Sequence, residues 1–210
     1  MLRFAIIGTG KISHTFMKAA LKVPGFKLEA VYSRSQDSGR AFGSVYGVDK
    51  VYTTLKALGD DPEVDAVYIA SPNSSHCAQT VFMLEHGKHV LCEKPIASSA
   101  QELERMMKAA DGNGKILLEA MRPVFDPGFA KIKELLGQLG QIRRAVFQYC
   151  QYSSRYDAFK NGIIENAFNP ALSNAALMDI GVYCIHPMVL LFGKPRQVMA
   201  SGIFLPNHME

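Results

Sequence analysis

Short apolar runs alternate with amphipathic stretches through the first part of this chain. RFAII (3–7), KLEAVYS (27–33), DAVYIAS (65–71), HVLCE (89–93) and KILLEAM (115–121) are strand-length and mostly apolar. Continuous apolar runs of this length suit strands buried on both faces. Residues 11–22, 36–47, 74–87 and 99–114 carry helical periodicity between them. The first is closed by Pro24-Gly25, and the last two end in glycine, which stops a helix by accepting a left-handed conformation. VYTTLKALGDD supplies a short strand and a helical turn. Strands separated by helices predict an α/β fold, a doubly wound parallel sheet of the Rossmann kind.

The pattern changes near residue 123. VFDPGFAKIKELLGQLG reads as a helix ending at Gly140. Residues 141–156 alternate loosely and predict a longer strand of a half-exposed antiparallel sheet. A loop rich in Asn, Phe and Gly (157–174) follows, expected to shape a pocket, then a helix over 175–186 and a strand-like PRQVMASGIFL (195–205). Pro187 is expected to kink the helix just past His186. The reading is two domains, 1–122 and 123–210. The second is an incomplete α+β domain, since two strands and two helices cannot close a covered sheet. The expectation is a chain that stops within its second domain.

Composition narrows the classes of function. With 48% hydrophobic and 20% charged residues the chain is of ordinary globular type. The net charge of +4 comes from scattered residues, with Arg143-Arg144 the only adjacent basic pair, so nucleic-acid binding has no support. No apolar run is long enough to span a membrane, and the start leaves no room for a signal peptide; the cytoplasm is the expected compartment. Cys77, Cys92, Cys150 and Cys184 form no CxxC pair and no Cys/His metal spacing, and are expected as buried free thiols.

The candidate chemistry sits at strand ends. AIIGTGKIS places Gly8 and Gly10 after a strand and at the mouth of a helix, with Lys11 and Ile12 in its first turn. Gly8 permits the tight turn, and Gly10 lets the backbone approach a pyrophosphate on the helix N-terminus. Ser13 stands where the fingerprint has Gly or Ala. The second strand ends in Ser33, Arg34 and Ser35, with nothing acidic before Asp37. An Asp or Glu there would bind a ribose 2′-hydroxyl; hydroxyls and a guanidinium suit a 2′-phosphate. NADP(H) is therefore preferred, with NAD(H) possible. Strand four ends in Ser71-Pro72-Asn73, followed by His76; Asn73 or Ser74 could also simply cap the next helix. Strand five ends in Glu93-Lys94-Pro95, where a buried lysine is costly without a partner or a task. Farther on, Asp179, Tyr183 and His186 stand at i, i+4 and i+7, one face of an α-helix.

GTGKIS, SPNSSH, EKP and PALSNAALMDIGVYCIH, in this order, resemble the Gfo/Idh/MocA oxidoreductases over the whole chain. The resemblance implies a Rossmann domain followed by a domain on an open, largely antiparallel sheet. It implies hydride transfer between a nicotinamide cofactor and sugars, cyclitols or related alcohols. It makes Lys94 the active-site lysine and places Asp179 and Tyr183 in the helix constellation facing the nicotinamide, with no assured role for His186. Gly8, Gly10, Lys11, Ile12, Ser33, Arg34, Ser71, Pro72, Asn73, His76, Glu93 and Lys94 become the cofactor set. Tyrosine at 183 is similar to the glucose-fructose oxidoreductase and dimeric dihydrodiol dehydrogenase branches, which favour NADP. Tyr183 would supply the proton that hydride transfer to a carbonyl demands. Lys94 would lower its pKa and polarise the substrate oxygen, and Asp179 would orient the substrate or hold Lys94. The sequence departs from the family at Ser173-Asn174-Ala175-Ala176, where a glycine-rich stretch is usual, and in its length. A homo-oligomer is expected of the full-length form.

Alternatives stay open at this level. Tyr183 could be a core tyrosine, Asp179 a structural partner of Lys94, Arg34 a solvated surface residue, and both histidines structural. The protein as a whole could be a non-catalytic NADP-binding regulator or an inactive truncated family member.

Overall fold

The structure, a computed structural model, describes residues 1–203. The chain divides into two units, residues 1–120 and 121–210.

The first unit runs β1 (Leu2–Ile7), α1 (Lys11–Ala20), β2 (Phe26–Tyr32), α2 (Gln36–Tyr46), β3 (Val51–Tyr52), α3 (Leu55–Gly59), β4 (Ala66–Ile69), α4 (Asn73–Glu85), β5 (His89–Cys92), α5 (Ala100–Gly112) and β6 (Leu117–Glu119). The strands form one sheet in the order β3-β2-β1-β4-β5-β6, every pair parallel. That is the doubly wound order, with its reversal between β1 and β4. Successive strand residues point to opposite faces, and the core divides accordingly. Ala5, Ile7, Val67 and Ile69 pack with Met83, Leu84 and Met106 on one face. Ile6 and Tyr68 pack with Met17, Val31 and Phe42 on the other. The expected α/β parallel sheet is the observed one.

Local chemistry sets the helix ends. Ser35, Thr54 and Ser99 each stand before a helix and accept the backbone N–H three residues on, at 3.4, 3.2 and 3.2 Å. α4 begins differently. Pro72 occupies its cap position and no side chain caps it, so the expected cap by Asn73 or Ser74 is absent.

The second unit holds α6 (Pro127–Leu135), α7 (Tyr156–Lys160) and α8 (Val182–Phe192), with short 3₁₀ turns between them. Among the described residues it forms no strand. The strand expected over 141–156 is unpaired chain, and so is the described part of 195–205; residues 204 and 205 lie outside the described residues. The reason is physical: a strand is half of a ladder, and here neither segment finds a partner. Ile142, Val146, Tyr149 and Tyr152 are exposed, with no sheet face to cover them. The expected loop at 157–174 also contains α7 and two 3₁₀ turns. Cys150 is exposed and Cys184 half-buried, so only Cys77 and Cys92 match the expectation of buried thiols.

The helix of the polar stripe needs the sharpest correction. It opens with a π-helical turn, Leu177–Gly181, and continues as α8. A π turn carries an extra residue, so α-helical spacing does not govern Asp179. Tyr183 and His186 alone share a regular helical face, at i and i+3. Pro187 lies inside α8, buried, and offers no N–H to the Tyr183 carbonyl; the helix nonetheless runs on to Phe192.

Candidate functional site

In an open parallel sheet the crevice at the strand-order reversal is the place for a ligand. The first turn after β1 lies there. Gly8 has φ +100°, and a Cβ on it would stand 2.6 Å from the Ala70 carbonyl oxygen at the end of β4. Conformation and packing both require glycine. The turn is held from three sides. The Gly8 N–H donates to the Tyr32 carbonyl at 3.2 Å, the Ala70 N–H donates to Ile7 at 2.8 Å, and the buried Ser13 hydroxyl donates to the Gly8 carbonyl at 2.7 Å. Serine at the third fingerprint position is thus a staple.

Gly10 differs. It precedes α1 with φ −79°, and a Cβ there would meet nothing within 4 Å. Neither its conformation nor the protein's packing calls for glycine. The open space beside it is the space that close approach of a pyrophosphate requires. α1 has no side-chain cap and no acidic residue in its first turn, where Lys11 and Ile12 stand. Its positive N-terminal end is left for an anion. The residues fit a dinucleotide.

At the end of β2, Ser33 is buried and its hydroxyl accepts the Ser35 N–H at 3.4 Å. Arg34 is exposed, and the first carboxylate beyond it is Asp37, inside α2.

The ends of β4 and β5 are braced together. Ser71 donates its hydroxyl to Gln79 Oε1 at 2.6 Å. Tyr68 donates to Glu93 Oε1 at 2.5 Å, and the Lys94 N–H donates to Glu93 Oε2 at 3.2 Å. Glu93 therefore shapes the turn that presents Lys94. Lys94 is half-buried, before a cis Pro95. The Ile96 N–H donates to Glu119 Oε1 at 3.0 Å.

His76 is almost fully buried, with Nδ1 2.9 Å from the Pro95 carbonyl oxygen and Nε2 3.0 Å from that of Ser71. Burial pushes its pKa below the ordinary imidazole value, against the two carbonyls, which pull it upward. Both ring nitrogens face main-chain carbonyls, and the neutral ring donates its one N–H to one of them, so His76 is a brace within the site where direct cofactor contact was expected. Glu119, Tyr68 and Gln79 were not singled out from the sequence. Glu119 had one signal, a carboxylate at the end of an apolar strand.

In the second unit Asp179 borders a recess of about 440 Å³, with Gln151, Tyr152, Ser153, Tyr156 and Phe168 among its walls. The half-buried Tyr183 ring stacks on Tyr149 at 5.8 Å. The described residues contain no cluster that could hold a metal ion and no helix long and apolar enough to cross a membrane.

A six-stranded parallel sheet in this order, with a glycine turn at its reversal, defines a dinucleotide-binding unit of the Rossmann kind. Residues 2–121 match the oxidoreductase family with an NAD-binding Rossmann fold, and residues 129–209 match the Gfo/Idh/MocA C-terminal domain. The chain belongs to the Gfo/Idh/MocA oxidoreductase family. It is 49% identical over 210 residues to scyllo-inositol 2-dehydrogenase (NADP(+)) IolU of Bacillus subtilis, which covers all of this chain and 64% of that protein. It is 33% identical over 213 residues to trans-1,2-dihydrobenzene-1,2-diol dehydrogenase of Danio rerio, covering 100% of this chain and 62% of that one. The chain thus spans somewhat under two thirds of these relatives. A myo-inositol 2-dehydrogenase structure from Lactobacillus plantarum shares the fold, with TM-score 0.75 and 23% identity, over 91% of this chain and 56% of that one.

Proposed function

We propose that this protein transfers a hydride between NADP(H) and a hydroxyl or carbonyl carbon of a cyclic polyol or diol. The observation that carries the reading is the crowding of the strand ends: the Gly8–Gly10 turn, the Ser71–Asn73 loop and Lys94 all follow neighbouring strands β1, β4 and β5. A bound nicotinamide supplies or accepts the hydride. Gly10, Lys11 and Ile12 offer backbone to the pyrophosphate, and Ser33 with Arg34 offers a carboxylate-free end for a 2′-phosphate. Lys94 holds a cation against the substrate oxygen where charge develops. Tyr183 exchanges the proton of the substrate hydroxyl, and Asp179 orients that hydroxyl. The aromatic and polar walls of the recess beside Asp179 suit a ring that carries hydroxyls. The names of the inositol and dihydrodiol dehydrogenase relatives support the same substrate class.

Thermal unfolding with each nucleotide is the first test. NADP⁺ at a hundred times its dissociation constant adds about 2.7 kcal/mol, and Arg34→Ala removes most of the preference over NAD⁺. Equal shifts with both nucleotides would refute the 2′-phosphate role. Lys94→Ala abolishes turnover of cyclitols while sparing NADP⁺ affinity; parallel loss of both would refute its assignment to the chemical step.

A further inference from the structure

The loop after β4 and the turn after β5 come from different strands, yet one side chain reaches both. His76 projects from the first turn of α4, with one ring nitrogen at the Ser71 carbonyl and the other at the Pro95 carbonyl. The ring is 1% exposed, so water does not compete at either carbonyl; the neutral ring donates its single N–H to one of them and sets its other nitrogen against the second. We propose that His76 is a positioning residue that couples the Ser71–Asn73 loop to the Lys94–Pro95 turn, so that cofactor-side and lysine-side segments keep one spacing.

Three features support the coupling. The two carbonyls face opposite nitrogens of one planar ring, so the distance between the segments is set by the imidazole itself. Each segment has a separate anchor on its far side: Ser71 on Gln79, and the Lys94 turn on Glu93 and Glu119. His76 is the group between these anchors. The peptide N–H groups of this stretch have partners of their own, with Glu93 N–H on Ile69 and Ser75 N–H on Pro72, which leaves the side chain to join the loops.

Asparagine places an amide nitrogen near the position of Nδ1, and glutamine places one near Nε2. His76→Asn should keep the contact with the Pro95 carbonyl and lose the one with Ser71; His76→Gln should do the reverse; His76→Phe loses both. Amide hydrogen exchange on the 210-residue chain reads this without any activity. In His76→Phe, protection at Ser71, Asn73 and Ser74 and at Lys94, Ile96 and Ala97 falls about tenfold, the effect of losing one net hydrogen bond. Thr9 to Ser13 stay unchanged. Asparagine restores the second segment and glutamine the first. Uniform loosening of residues 1–120, or no change at either segment, overturns the proposal. If the phenylalanine variant does not fold, the other pair still decides, because equal effects of Asn and Gln on both segments also overturn it. A second arm rests on the proposed function. His76→Asn raises KM for NADP⁺ about tenfold with little change in kcat, and His76→Gln lowers kcat about tenfold with little change in KM. If the exchange pattern holds and the kinetic split fails, the brace stands and the assignment of the two segments to cofactor and chemistry falls.

Discussion

The two units solve the burial of apolar surface differently. In residues 1–120 the sheet is covered on both faces, and Ile6, Val67, Leu84 and Met106 have no measurable exposure. Among the described residues 121–203, the buried hydrophobic side chains are Met121, Phe159 and Pro187, while Leu139 is 72% and Val146 69% exposed. An open groove of about 600 Å³, walled by Phe129, Ile132, Leu136, Phe147, Leu191 and Phe192, runs through that unit. Similar apolar content gives a closed core only where a ladder of strands carries it. The first unit therefore holds its site rigidly, and the second holds Asp179 and Tyr183 on one helix with thin support.

The contrast predicts a graded set of responses. Gly8→Ala is the most damaging, because it combines a left-handed backbone with a 2.6 Å approach to the Ala70 carbonyl. About 4 kcal/mol of strain and overpacking is expected, with loss of nucleotide binding; a urea midpoint close to wild type would break the argument. Truncation sharpens the comparison next. Ile6→Ala should cost about 3 kcal/mol, as in other close-packed cores, whereas Leu139→Ala stays within about 0.5 kcal/mol. Equal costs at the two positions would mean that the exposed face of the second unit is covered in solution.

Acid adds a smaller effect, confined to the first unit. The Arg3 guanidinium, bonded to Asp65 at 2.7 and 2.9 Å, holds that carboxyl well below the usual carboxylate range, helped by the Arg3 N–H. A depressed carboxylate contributes stability that is present above its unfolded pKa of about 4 and lost as pH falls toward its folded value. The urea midpoint of the first unit should therefore fall on acidification below about pH 4, and Asp65→Asn should be less stable at pH 7 with a shallower fall. His76 adds the opposite case of a depressed base. Its unfolded form binds more protons just below pH 6.5, so stability rises with pH across that interval. A His76→Phe profile that kept that slope would assign it elsewhere.

What the sequence made legible follows the same division. The strands of the first unit were readable because a strand buried on both faces is a continuous apolar run, as in AVYI of β4. Gly8, Gly10 and Lys94 were readable because their types at strand ends imply close approach or charge. The segment at 141–156 misled because alternation states which faces a strand would have, and only a partner makes them faces. The π turn at Leu177–Gly181 takes Asp179 out of α-helical register, which residue spacing alone does not encode. The brace through Glu119 depends on the register that sets Cys92 opposite Glu119 across β5 and β6, a distance of 27 residues along the chain.

The smallest predicted effect tests whether the entrance to that π turn is strained. Ser173 has φ +56° and ψ +42°, the left-handed region that L-residues avoid, and it stands four residues before Leu177. The resemblance to the Gfo/Idh/MocA oxidoreductases implies glycine in this stretch, where this chain has Ser173-Asn174-Ala175-Ala176. A left-handed L-residue costs about 1 kcal/mol, offset when it is replaced by glycine by the extra freedom of the unfolded chain. Ser173→Gly should therefore stabilise the second unit by about 0.5 kcal/mol, and Ser173→Val should destabilise it by more, since a branched side chain tolerates the conformation least. Urea midpoints of the three chains check both signs. If glycine destabilises as much as valine, then the serine side chain and not the backbone holds the turn, and the helix that carries Tyr183 depends on that hydroxyl.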